Sequence, residues 1–399
     1  MNAALALLLL APFAQEGRYP ALPDVAALRA EGPAALVRLC ERYDRLEPGV
    51  ERDALERTID AVAAQRYATV SRLYWYTDLD LARNAAHATG KPILSLRMLG
   101  RLDEEFSCAN SRFFRIALYA DPDVARFLRE NFVLHWSSER PVPRVSIDFG
   151  DGRRIETTIA GNSAHYVLDA DGRALDVLPG LYSPVAFRRE LAAALPLART
   201  SPRVLESECL DVVRAYHVDR LQAATELWSG PRQLVSLPTL PGIVESESRT
   251  FAKSFVETPA VLAADLGGAR AEALVPSAPM GEVFVRRLEE ARLSGASRAL
   301  VARLAPVDGS RAARPLEGEA FERAISNLEA LIAADTERNE QRLRRVVHEW
   351  FATFALLPDF QSLNELVYRE LFLTPKEDPW LGLANPGMIT GLPRDGVVR

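Results

Sequence analysis

Three cysteines and five histidines are the residues of this chain whose types are typical of nucleophilic chemistry or metal binding. The cysteines lie far apart, at Cys40, Cys108 and Cys209, and no two of them form a Cys-x-x-Cys motif. This spacing excludes a zinc finger or ribbon and a local dithiol redox pair. The histidines are equally scattered and follow no His-Glu-x-x-His pattern; they are His87, His135, His165, His217 and His348. Spacing therefore predicts neither a metal site nor a cofactor.

The apolar pattern of the middle of the chain, residues 67–199, predicts a small mixed sheet with flanking helices. Asp78 can cap a helix that Gly90 ends, and a strand begins at Ile93. Two further helices, a strand, two hairpins and a closing helix follow; their expected spans are 111–119, 122–131, 132–136, 145–159, 165–178 and 184–194. Alternating helices and strands followed by hairpins indicate an α/β domain.

The segments on either side of this domain have helical patterns and no strand signals. Residues 15–66 predict short helices, and Cys40 lies on the apolar face of one of them. Residues 200–399 predict a mainly helical region with a Pro-containing linker at 230–248 and an extended tail, which Trp380 would pin to a domain. The longest pattern, 319–354, carries charged residues that we expect to form a solvated face or, alternatively, to line a groove between domains; they include Arg338, Glu340, Arg344, Arg345 and His348.

Composition and the first residues bear on the compartment and on partner classes. The chain has a formal net charge of −6, which offers no basic face for nucleic acid. No apolar run reaches the ~18 residues of a membrane span. Residues 1–14 combine an apolar run with Ala11-Pro12-Phe13-Ala14, a pattern that resembles a secretory signal peptide. It predicts export to the periplasm or the cell exterior; a cytoplasmic protein with a short apolar N-terminal helix is the alternative.

The middle domain resembles the thioredoxin-like superfamily, in particular bacterial thioredoxin-domain proteins with a Cys-x-x-Ser loop. The resemblance rests on Trp75-Tyr76-Thr77-Asp78, on Gly90-Lys91-Pro92-Ile93-Leu94, on Asn131-Phe132-Val133 and on the hairpin at 166–172. It implies a thioredoxin-like fold in which Cys108 follows a strand and opens a helix. The motif reads Cys108-Ala109-Asn110-Ser111, and Ser163 stands where the family has its cis-proline. A dithiol cycle is therefore unavailable to this domain alone.

A lone cysteine at a helix start could act as a monothiol nucleophile, because the helix dipole and nearby cations favour the thiolate. Arg112 and Arg115 would add to this effect, and Ser111 could donate a hydrogen bond to the sulfur. The carboxylates of Asp103, Glu104 and Glu105 oppose it. In the loop expected opposite Cys108, His165 beside Asn162 could serve as a base, although a structural role in a strand is the alternative.

Two functions from different classes follow from this motif. The first is a monothiol thiol-disulfide oxidoreductase or isomerase that forms a mixed disulfide at Cys108 with protein thiols or a small thiol. The second is a non-catalytic binding or scaffold protein that holds a protein partner through the thioredoxin-like domain and the C-terminal region. Burial of Cys108 would discriminate between them.

Overall fold

The computed structural model of the chain describes residues 24–158, 161–201, 206–228, 282–304, 317–379 and residue 381. The expected signal peptide at 1–14, the linker at 230–248 and Trp380 lie outside these residues. Within the described residues, no helix is long and apolar enough to cross a membrane.

Four helices precede the sheet, in agreement with the predicted helical segment. They are α1 (Val25–Ala30), α2 (Pro33–Arg45), α3 (Val50–Ala63) and α4 (Ala68–Ser71). Their apolar faces form a cluster of their own, in which Leu36, Cys40 and Ile59 are buried. The Asp60 carboxylate accepts the backbone N–H of Ala68 at 2.8 Å and so fixes the start of α4.

The central sheet is mixed and has five strands, which confirms the predicted α/β class of the middle segment. The strands are β1 (Trp75–Tyr76), β2 (Ile93–Leu99), β3 (Val133–Arg140), β6 (Ser163–Leu168) and β7 (Ala174–Pro179), in the spatial order β1-β3-β2-β6-β7. Strands β1, β3 and β2 are parallel, whereas β6 and β7 are antiparallel to their neighbours. The register places Ser95 opposite both His135 and Tyr166.

The predicted hairpin around Gly150 is formed, but it stands apart from the central sheet. Among the described strands, β4 (Arg144–Asp148) and β5 (Arg154–Thr158) pair only with each other, with Ile147 opposite Ile155. Gly150 and Gly152 have positive φ angles of 76° and 92°, which a glycine adopts without steric cost in a tight turn.

Four of the described helices flank the sheet, and the first of them begins after the predicted capping residue Asp78. They are α5 (Leu79–Thr89), α6 (Ala109–Phe113), α7 (Pro122–Asn131) and α8 (Pro184–Thr200). The side chains of Asp78, Asp121 and Ser183 accept backbone N–H groups of the first turns of α5, α7 and α8. Helix α6 continues as a π turn over Phe114–Leu118.

The C-terminal region is helical, as predicted. Its described helices are α9 (Glu206–Trp228), α10 (Glu282–Glu290), α11 (Gly295–Leu304), α12 (Gly318–Arg338), α13 (Arg344–Thr353) and α14 (Phe360–Leu366). Two π turns, Asn339–Leu343 and Val367–Leu371, continue α12 and α14. The apolar core runs without interruption from the sheet into these helices; the rings of Tyr166 and Phe360, for example, are 5.0 Å apart.

For the long C-terminal pattern, residues 319–354, the prediction of a solvated charged face is wrong in the central part. Glu340, Arg344 and His348 are all buried between α8, α9 and β7. Arg344 pairs with Asp176 and Glu190, and Glu340 pairs with Arg189 and Arg287. Charged side chains can be buried when each meets an opposite charge, and these partners come from helices and strands distant in sequence.

Candidate functional site

Cys108 lies between β2 and α6, at the position where the sequence predicts a helix start. It is the residue immediately before α6, and its backbone N–H donates to the Leu99 carbonyl at 3.2 Å. Its fractional exposure is 0 %, and it belongs to the apolar core together with Leu99 and Phe113. Like Cys40 and Cys209, it is a free and buried cysteine.

The hydroxyl of Ser111 is directed to the loop and not to the sulfur. Its Oγ donates to the backbone carbonyl of Cys108 at 2.8 Å and lies at hydrogen-bond distance, 2.6 Å, from Ser107 Oγ. Ser111 is itself fully buried. The expected role of Ser111 as a hydrogen-bond donor to the thiol is therefore replaced by a role in closing the first turn of α6.

Arg115 holds the loop between β2 and α6. Its buried guanidinium donates to the carbonyls of Leu102, Glu104 and Glu105 and to Ser107 Oγ, the last at 3.1 Å. Burial lowers the pKa of Arg115, because the charged form is removed from water. All of these acceptors lie in residues 102–107. Arg115, which was expected to favour a thiolate, therefore stabilises the conformation of the loop.

The acidic residues of the same loop have cationic partners of their own. Asp103 pairs with Arg101 at 2.7 Å. Glu105 pairs with Arg66 at 3.2 Å and accepts the hydroxyl of Tyr67 at 3.1 Å. The loop is thus cross-linked to the segment between α3 and α4.

His165 lies on β6 and is fully buried. Its Nε2 shares a hydrogen bond of 2.7 Å with the hydroxyl of Tyr119, and its ring packs against Phe114 and Phe187 at centroid distances of 4.7 Å each. Burial lowers the pKa of His165 to about 3, so the imidazole is neutral at pH 7. The geometry agrees with the structural alternative for this histidine, since it is fixed by Tyr119 and by two aromatic rings.

Residues that follow α14 cover the loop opposite Cys108. Asn162 donates from Nδ2 to Thr374 Oγ1 at 2.8 Å, and the Tyr368 hydroxyl donates to the Asn162 carbonyl at 3.2 Å. Arg140 donates to the backbone carbonyls of Thr374, Pro375 and Asp378, which fixes this stretch on the end of β3. We call residues 367–378 the C-terminal cover.

Two tyrosines on different elements lie within electrostatic reach of Cys108. Burial, and secondarily Cys108, holds the pKa of Tyr119 well above its usual value. Burial also raises the pKa of Tyr368, with smaller contributions from Glu139, Tyr166 and Cys108. The π turn after α6 and the C-terminal cover therefore each place one tyrosine near the fully buried Cys108.

A second polar cluster, which the sequence did not indicate, lies where the C-terminal helices meet the sheet. Asp176 of β7, His217 of α9 and His348 of α13 are buried, with their ligand-type atoms within 4.8 Å of one another. His217 Nδ1 and His348 Nδ1 are 2.7 Å apart. The two histidines are 131 residues apart in sequence, so no local spacing could reveal them. One sequence signal could have indicated that His348 is buried: in a helix it lies one turn from Arg344 and from Phe351, which are both buried.

The charge state of this cluster is set by burial and by Arg344. Burial lowers the pKa of His217 to about 4 and that of His348 to about 2, so both rings are neutral at pH 7. Burial alone would raise the pKa of Asp176, but the Arg344 guanidinium outweighs it and holds that pKa well below the usual range. Two neutral imidazoles and a carboxylate are a donor set that suits a transition metal.

Comparison with known proteins gives no relative from which a role could be transferred. The chain matches no protein-family model, and neither a curated protein nor a solved structure shows a significant similarity to it.

Proposed function

We propose that this chain is a thioredoxin-fold protein of the binding or scaffold class, in which Cys108 is a buried structural residue. The strand order β1-β3-β2-β6-β7, three parallel strands followed by two antiparallel ones, supports the fold part of the proposal. The position of Cys108 directly before α6 supports it as well. Export of the protein from the cytoplasm, which residues 1–14 suggest, is part of the same proposal.

The observation that carries the functional part is the complete burial of the Cys108 thiol. Thiol–disulfide exchange requires a thiolate sulfur to attack one sulfur of a disulfide while the other leaves, so the attacking atom must be reachable. Here the sulfur is enclosed by its own chain. Its expected helpers are also engaged elsewhere, since Ser111 bonds the first turn of α6 and His165 bonds Tyr119. A protein partner bound through the sheet and the C-terminal helices is consistent with this closed site.

The monothiol oxidoreductase is the second candidate, and one feature favours it. The C-terminal cover lies near Cys108 and is held by hydrogen bonds with Asn162, the residue before β6, and with Arg140 of β3. If the cover moved away, Cys108 could attack a disulfide of a protein or a small thiol, form a mixed disulfide and release the second thiolate.

Mixed-disulfide trapping tests the two candidates against each other. The full chain is incubated with oxidised glutathione in native buffer, and the modified cysteines are identified by mass spectrometry of peptides. We expect no glutathione on Cys108 in native buffer and modification of all three cysteines in urea, because all three are buried. Modification of Cys108 alone under native conditions would overturn the binding-protein proposal in favour of the monothiol enzyme. Cys40 is the internal control, since it is equally buried but lies in the separate N-terminal cluster.

A further inference from the structure

We propose that Asp176, His217 and His348 form a binding site for one transition-metal ion of the Zn²⁺ type. The site joins the sheet to two helices of the C-terminal region, because its members lie on β7, α9 and α13. It is independent of the Cys108 region and of the function proposed for it.

Convergence of the three side chains is the first argument for the site. The donor atoms lie within 4.8 Å of one another, and the two Nδ1 atoms are 2.7 Å apart. Zn²⁺ binds imidazole nitrogen at about 2.0–2.1 Å, so two nitrogens on one tetrahedral ion lie about 3.3 Å apart. Small rotations of the two rings would open the observed separation to that value.

The tautomer of His217 is the second argument. Its Nε2 lies 2.8 Å from the carbonyl oxygen of Leu175, which can only accept, so Nε2 carries the proton. The neutral ring then presents the lone pair of Nδ1 to the centre of the cluster. A histidine ligand whose second nitrogen donates to a backbone carbonyl is the common arrangement in protein metal sites. On binding, the Nδ1 proton of His348 would be lost and the ring would carry its proton on Nε2.

The positive charge of Arg344 repels a cation bound at this site, and the other contacts of Arg344 show how that repulsion is reduced. It donates to both carboxylate oxygens of Asp176, but also to the Val177 carbonyl at 2.6 Å and to Glu190 at 3.3 Å. Glu190 therefore supplies a second negative charge for this guanidinium. The hydroxyl of Tyr216 donates to Asp176 Oδ2 at 3.2 Å, and an ion bound at that oxygen would displace it. Hydrogen bonds from Arg344 would then hold the ligating carboxylate in place.

The donor set also determines which ion fits. Two imidazole nitrogens with one carboxylate suit Zn²⁺ and its neighbours in the transition series, whereas Ca²⁺ and Mg²⁺ prefer six or more oxygen ligands. The competing interpretation is a metal-free hydrogen bond from His348 Nδ1 to His217 Nδ1. The two interpretations differ in whether the folded chain takes up an ion.

The test is metal binding to the full chain after removal of metals with a chelator. We expect one equivalent of Zn²⁺ per chain, and an increase of the melting temperature on its addition. Co²⁺ in the same site should give visible absorption bands of a nitrogen- and oxygen-ligated ion without a thiolate charge-transfer band. His348→Gln should lose the bound equivalent, whereas His135→Gln should keep it, since His135 is a buried histidine outside the cluster whose Nδ1 pairs with Ser95 at 2.8 Å.

Several outcomes would overturn the site. Absence of a bound equivalent in the folded wild-type chain would leave only the metal-free hydrogen bond. A thiolate charge-transfer band would place the ion at a cysteine. Retention of the equivalent by folded His348→Gln would place it elsewhere. Because the wild-type spectrum and melting temperature need no variant, the proposal is decided even if His348→Gln fails to fold.

Discussion

At the scale of single residues, the surroundings of Cys108 show that a local sequence pattern can predict where a residue lies without predicting what its side chain does. Arg115 follows Cys108 by seven residues, about two helical turns. Its donors are used by carbonyls of residues 102–105 and by Ser107. A buried guanidinium has five N–H donors and needs acceptors for them. The polypeptide loop supplies those acceptors, so the charge stabilises the loop.

Buried histidines make the stability of the protein depend on pH. The pKa values of His135 and His165 are lowered to about 3, that of His217 to about 4 and that of His348 to about 2, in each case first by burial. Below pH 6.5 the unfolded chain takes up protons at these rings and the folded chain does not. The free energy of unfolding should therefore fall as the pH is lowered from about 6.5 towards 4, with a limiting slope of about 1.4 kcal/mol per pH unit for each histidine that stays neutral in the folded state.

Asp60 acts in the opposite direction, because burial raises its pKa to about 6 and the folded state then binds the proton first. Its stabilising effect grows as the pH falls from 6 towards 4, but one carboxyl is outweighed by four histidines. Urea unfolding at pH 7, 6 and 5 measures the net slope. His165→Gln should make the dependence of the unfolding free energy on pH shallower by the contribution of one histidine. A free energy of unfolding that stays constant or rises on acidification would contradict this account.

At the scale of elements, the C-terminal helices protect an edge of the sheet. Strand β7 is the last in the spatial order, so one side of its backbone has no strand partner within the part of the chain that the structure describes. His217 donates to the Leu175 carbonyl and Arg344 to the Val177 carbonyl. An uncovered edge strand is a template for pairing between molecules, and these two side chains satisfy its carbonyls from α9 and α13.

A chain that ends after Ser201 should therefore associate. It would expose the carbonyls of β7, and it would also uncover apolar core residues that now contact the C-terminal helices, among them Tyr166 beside Phe360. We expect oligomers or aggregates by size-exclusion chromatography and light scattering at concentrations where the full chain is monodisperse. A truncated chain that is as soluble and heat-stable as the full chain would show that the two regions are independent.

The helices and hairpins were predictable because their signals are local. Asp78 and Gly90 bound α5, Pro122 begins α7 and Gly150 turns a hairpin, each through a conformational preference of one or two residues. The two-residue strand β1 was not predicted, since Trp75 and Tyr76 are too few to show a period. Its existence depends on pairing with β3, which is a long-range contact.

At the scale of the whole molecule, the candidate sites were harder to predict than the fold. The sequence predicts that Cys108 stands at a helix start, but it does not predict that the thiol is buried. The C-terminal cover, which places Tyr368 near Cys108, begins more than 250 residues later. The same holds for Asp176, His217 and His348, which are brought together only by docking of α9 and α13 on β7. A periodic pattern predicts which side of a helix is polar. It does not predict which charged residues of other elements contact that side in the folded chain.

The rate at which Cys108 is alkylated in the folded chain tests the central claim, that this thiol is sealed, most directly. Iodoacetamide is applied in native buffer and in increasing urea, and each cysteine is quantified by peptide mass spectrometry. We predict that native Cys108 reacts at least about a thousandfold more slowly than in the unfolded chain, as expected for a site that needs an opening of about 4 kcal/mol. Cys40 and Cys209, which are buried as well, should be similarly protected. A contradictory result would be a native Cys108 that reacts within about tenfold of the unfolded rate while Cys40 and Cys209 stay protected. That result would show that the thiol is not sealed and would favour the monothiol enzyme.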